Sequence, residues 1–136
     1  MRVLAVLLAA VLLGAAGEAP GDGIARYCGG GVTGGGGGVS VTAAGTVTRL
    51  RRPRAGAPPE EQVIRHGETA AYARIAALLD AARFESMARG EPSNMTCSIT
   101  RRRDGRSRQV MWGIGRAPPA LAEAFSALDA LGRPEP

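Results

Sequence analysis

Few side chains in this 136-residue chain could do chemistry alone, and their spacing narrows the options further. His66 is the single His, with Glu60, Glu61 and Glu68 close in sequence. These types could exchange protons, but nearness along the chain does not make a site. A lone His in a Pro- and Arg-rich connection reads as a solvated side chain. One His and two Cys exclude multi-His and Cys-only zinc sites. The Asp and Glu residues show no spacing suited to general acid–base work. The expectation is a protein that is not an enzyme, with no catalytic residues, metal or cofactor.

Two other groupings could bind rather than react. Eight of the ten residues from 29 to 38 are Gly, and Gly29-x-Gly31-x-x-Gly34 matches the dinucleotide fingerprint. That fingerprint works through a helix N-terminus at the pyrophosphate, and here the strand-like Val39-Ser40-Val41-Thr42 follows instead. Phosphate binding by this loop is therefore rejected. Two readings remain: a slack connector between strands, or a loop (Gly29, Gly30, Gly31, Val32, Thr33, Gly34) whose backbone approaches another surface closely. Further on, Arg101, Arg102, Arg103, Arg106 and Arg108 put five cations around one turn. They could grip phosphate, an anionic glycan or an acidic protein surface, or form a charged edge that resists sheet-to-sheet association. No aromatic residues are interleaved for base stacking, so nucleic acid is not expected. All 17 cationic residues are Arg and none is Lys. With the richness in Ala, Gly and Pro, this looks like a GC-rich genome and lowers the weight of the Arg count itself.

The N-terminus supplies an address. Met1-Arg2 precedes residues 3–13, made only of Val, Leu and Ala, and then come Gly14-Ala15-Ala16-Gly17. This is the signal-peptide pattern, too short for the roughly 20 apolar residues of a membrane span. The sequence predicts a signal peptide over 1–16, cleaved after Ala16, a flexible leader over 17–23, one small domain over 24–132 and a tail over 133–136. The product is secreted or periplasmic, with no stable membrane anchor after cleavage. In an oxidising compartment Cys28 and Cys97 are expected to pair, closing a loop of about 70 residues worth about 4 kcal/mol. Two buried free thiols are the alternative.

The surrounding elements follow from period and punctuation. Residues 24–32 read as a strand broken by glycine, and 39–42 pairs with 46–50 across Ala43-Ala44-Gly45. That register sets Val41 opposite Val47 but Val39 beside Arg49, which suggests a bulge. Residues 51–67 read as an irregular connection. Tyr72, Ile75, Leu78, Leu79 and Ala82 recur at helical spacing, predicting one helix over 68–89 ended by Gly90 and Pro92. Asp104-Gly105 marks a hairpin between 94–103 and 106–115. Its register puts Ile99 with Val110, Cys97 with Trp112 and Met95 with Ile114 on a single core face. Pro118-Pro119 opens a last helix with the stripe Leu121, Ala124, Phe125, Leu128 and Leu131. The fold class is α+β: an antiparallel β-sheet packed against a central helix and a short C-terminal helix.

This order of elements resembles emfourin, a small proteinaceous inhibitor of thermolysin-like zinc metalloproteases. So do the segments Tyr27-Cys28-Gly29-Gly30-Gly31-Val32-Thr33-Gly34, Leu78-Leu79-Asp80-Ala81-Ala82-Arg83-Phe84 and Pro119-Ala120-Leu121 through Leu128. The likeness spans most of residues 24–131. The apolar N-terminus, the two Cys and the longer glycine run depart from that family. The resemblance implies an exported, non-catalytic inhibitor with a metalloprotease as protein partner, and residues 29–34 as the segment entering the protease cleft. The alternative is an envelope protein that binds anionic polymer through the Arg-rich hairpin.

Overall fold

A computed structural model describes residues 21–134. The predicted signal peptide and the start of the leader lie outside the described residues. Six strands build one sheet: β1 (Gly23–Gly30), β2 (Gly35–Thr42), β3 (Val47–Arg52), β4 (Glu60–Arg65), β5 (Met95–Arg103) and β6 (Arg106–Gly113). Their order is β4-β3-β2-β1-β5-β6, and every neighbouring pair is antiparallel. Helices α1 (Thr69–Ala81) and α2 (Ala122–Leu131) share one core with the sheet. The α+β class is as expected.

Three cross-strand rows form the face that meets the helices. Val47, Val41 and Ile24 align with Arg101 and Arg108; Val39, Arg26, Ile99 and Val110 make the next row; Cys28, Cys97 and Trp112 make the third. Ile75 and Leu79 of α1, Ala124 and Leu128 of α2, and the flanking Phe84 and Leu121 complete the core. Trp112 meets Phe125 edge-on, with ring centroids 5.8 Å apart, one of the favoured aromatic geometries.

The β5–β6 hairpin has the predicted register, with Arg103 opposite Arg106, Ile99 opposite Val110 and Cys97 opposite Trp112. Its last pair departs from expectation. Ile114 still donates its N–H to the Met95 carbonyl at 2.9 Å, but its side chain lies outside the core and is 59% exposed. The pair sits beyond the helices' reach, so the alternation continues after the core has ended.

Four further expectations need correction. Residues 51–67 contain β4, a charged edge strand of which only Ile64 packs against the core. Such a strand shows no apolar alternation, because it owes its place to backbone pairing with β3. The β2–β3 pairing carries no bulge: Arg49 stays opposite Val39 and donates to the Gly132 carbonyl at 3.0 Å, while the register shift falls between β3 and β4. The glycine run is not a loop, since β1 reaches Gly30 and β2 starts at Gly35. Finally, α1 stops at Ala81 and a 3-10 turn, Phe84–Ser86, follows left-handed Arg83. The left-handed backbone costs about 1–2 kcal/mol. Burying Phe84 to 1% exposure returns about 1.5–3 kcal/mol, so the reversal wins over a longer helix.

Candidate interaction site

At one end of the sheet the glycine run closes in a tight turn over residues 31–34, where Gly34 donates to the Gly31 carbonyl at 3.3 Å. Thr33 Oγ1 accepts from Gly35 N at 3.2 Å. The turn is tied to both neighbours: Gly31 N donates to the Asn94 carbonyl at 2.7 Å, and Ala55 N donates to the Thr33 carbonyl at 2.8 Å. A disulfide between Cys28 and Cys97, directly opposed on β1 and β5, joins the strands just behind it. Both sulfurs are thereby used, so neither is a nucleophile. The bond fits an oxidising compartment, extracellular or periplasmic. No helix among the described residues is long and apolar enough to cross a membrane.

Sequence reasoning grouped residues 29–34 as one loop. The structure divides it: Gly29 and Gly30 are strand residues opposite Gly36 and Gly35, and Gly31, Val32, Thr33 and Gly34 form the projecting turn. Val32 is fully exposed at 106%. Beside it, Met95 lies so near Gly31 that a Cβ there would come within 2.8 Å of the Met95 sulfur. With Ile114 paired to Met95, the rim carries Val32, Met95 and Ile114 on adjacent chain segments. Alternation alone puts Met95 and Ile114 in the core. Their place just past the last helix-covered row was the signal that they belong to a surface.

The glycines permit this geometry through close approach. A Cβ at Gly38 would come within 2.1 Å of the Arg26 carbonyl oxygen, and one at Gly29 would meet the Tyr27 ring at 2.9 Å. Tyr27 thus lies over the glycine strands on the face away from the helices and fills space that side chains would occupy.

The five arginines of the second hairpin do not act as one solvated tip. Arg102 points to the helix-free face, with its Nε 3.4 Å from Ser107 Oγ. Arg101 is buried at 4% exposure and its Nη1 donates to Asp80 Oδ1 at 2.7 Å. Arg103 lies 3.7 Å from the Asp80 carboxylate and 3.6 Å from that of Glu85. Arg108 donates through Nε to the Phe84 carbonyl at 3.1 Å and through Nη2 to the Met87 carbonyl. Arg106 has no side-chain partner among the described residues. Four of the five, with Arg89 and Glu85, line a cleft of about 580 Å³.

The proton-transfer grouping does not form. His66 Nδ1 lies 3.3 Å from Thr46 Oγ1, and Glu68 accepts from Arg65 Nε at 3.0 Å. No cluster of three His, Cys, Asp or Glu side chains suited to a metal occurs among the described residues. The Tyr72 phenol is pushed above its usual range by burial and by the nearby Asp22 carboxylate. No protein-family model matches the chain, and no curated protein matches it in sequence.

Proposed function

We propose that this chain is an exported, non-catalytic binding module whose 31–34 turn enters the cleft of a partner protein, and that the partner is a secreted thermolysin-like metalloprotease. The observation carrying this reading is Val32, fully exposed at the summit of a turn bonded on both flanks. A segment already held in its bound shape loses little conformational freedom on association. An apolar anchor on such a segment is suited to a preformed pocket. The disulfide, the signal-like N-terminus and the resemblance to emfourin support export and the choice of partner.

The test uses the secreted protein with thermolysin as probe. Peptide hydrolysis by thermolysin should fall on addition of the wild-type protein. Val32→Asp should relieve that inhibition at least tenfold while leaving the melting temperature unchanged. Undiminished hydrolysis with the wild-type protein would overturn the protease assignment, and equal inhibition by Val32→Asp would remove the turn as the contact. Mass spectrometry of the exported product is expected to show cleavage near Ala16. Retention of Met1 or Arg2 would overturn the signal-peptide assignment.

A further inference from the structure

We infer that the cleft between the β5–β6 hairpin and the segment after α1 is a binding site for a phosphate or sulfate group. The sequence suggested a cationic hairpin tip. The structure instead gathers Arg101, Arg103, Arg106 and Arg108 of the hairpin with Arg89 around one concavity, and excludes Arg102. Glu85 and Asp104 are the acidic groups in the lining, so positive charge prevails.

The internal bonds divide these arginines by role. Arg101, Arg103 and Arg108 are held by Asp80, Glu85 and the carbonyls of Phe84 and Met87, which fixes their positions. Arg89 and Arg106 are exposed and have no side-chain partner among the described residues, leaving their guanidinium donors to a ligand. Arg101, 4% exposed, also lines the cleft, and its buried Nε finds no acceptor among the described residues, as is true of Arg26 Nε on β1. A buried donor without an acceptor is unfavourable. A tetrahedral oxyanion presents acceptors in several directions at once and matches the planar guanidinium fork. The half-enclosed setting strengthens the attraction relative to bulk water. No aromatic side chain lines the cleft, so the recognised feature is the oxyanion and not a base or sugar ring.

Inorganic tripolyphosphate is the probe, followed through the Nε–Hε NMR signals of the arginines in the intact protein. Saturable shifts are expected at Arg101 and Arg108 and not at Arg102. The double variant Arg89→Ala/Arg106→Ala should bind at least tenfold more weakly with an unchanged melt, because both side chains are exposed. Arg102→Ala should bind as wild type. The proposal is overturned by non-saturable shifts, by equal loss in Arg102→Ala, or by undiminished binding in the double variant. Binding to phosphatidylglycerol vesicles without any response to tripolyphosphate would also overturn it, since that describes a charged surface and not a site.

Discussion

Arg101 of β5 and Asp80 of α1 form an ion pair, with Nη1 2.7 Å from Oδ1, on the face of the sheet that carries the core. The arrangement has a counterpart one strand away, where Arg26 of β1 meets Asp129 of α2 at 2.6 Å and also lies over the Phe125 ring. Each helix therefore brings a carboxylate to a guanidinium on the face of the sheet that it covers. Hydrophobic burial, which holds the helices on the sheet, is non-directional. The two ion pairs are directional and select among the positions that burial allows.

Removing one partner of such a pair leaves an uncompensated buried charge, which typically costs about 3–5 kcal/mol. Asp80 is half exposed and Glu85 lies 4.0 Å from the same guanidinium, so part of the charge stays balanced. Asp80→Ala is accordingly expected to lower stability by about 2 kcal/mol, read as an earlier urea midpoint. Adding Arg101→Met to that variant should restore most of the loss, because an apolar replacement needs no partner. A double variant no more stable than Asp80→Ala would show that the guanidinium does more than neutralise Asp80.

What could be read from the sequence depended on whether its cause was local. The β5–β6 register follows from Asp104-Gly105 and the alternation beside it, and Ile99–Val110 and Cys97–Trp112 pair accordingly. The strands within the glycine run were hidden, because their glycines answer to distant atoms: Tyr27 on the neighbouring strand and the Arg26 carbonyl. β4 was hidden because an exposed edge strand shows no apolar period. The end of α1 is set by the burial of Phe84, which no punctuation near Ala81 announces. At the candidate site, the turn containing Val32 was legible as glycine-rich sequence. Its bonds to Asn94 and Ala55 join segments far apart in the chain and were not. The predicted hairpin register already separates Arg102 from the other arginines, but their partners Asp80, Glu85 and the Phe84 and Met87 carbonyls belong to another segment and were not legible.

The Cys28–Cys97 bond closes a loop with a sequence separation of 69 and sits behind the recognition turn. On the chain-entropy account a loop of that length contributes about 4 kcal/mol. Cys28→Ser/Cys97→Ser is expected to lose about that much in urea unfolding, and reductant should shift the wild-type midpoint while leaving the variant's unchanged. The turn keeps its hydrogen bonds to Asn94 and Ala55, so the variant should still present Val32 well below its own melting temperature. A variant as stable as the oxidised wild type would show that the sheet alone restrains these strands.

Glycine content by itself does not separate structural from functional glycines, but the surroundings do. At Gly38 a Cβ would come within 2.1 Å of the Arg26 carbonyl oxygen, a backbone atom inside the sheet that cannot move without disturbing the β1–β2 ladder. Gly56 has a positive φ of 76°, but open space where its Cβ would stand. Gly56→Ala therefore incurs backbone strain alone, about 1–2 kcal/mol. Gly38→Ala adds a steric clash to a central strand pair, and overpacking of this kind costs about 1–3 kcal/mol or more. The expected order in thermal melts is wild type, then Gly56→Ala, then Gly38→Ala with the largest drop. Gly30, Gly31 and Gly34 also have positive φ and close neighbours, so replacing them together should lower the melt as well as any binding. Recognition is for that reason better probed at Val32, whose side chain touches solvent alone. A Gly38→Ala protein that melts with the wild type would mean that β1 and β2 can separate at Tyr27 without cost.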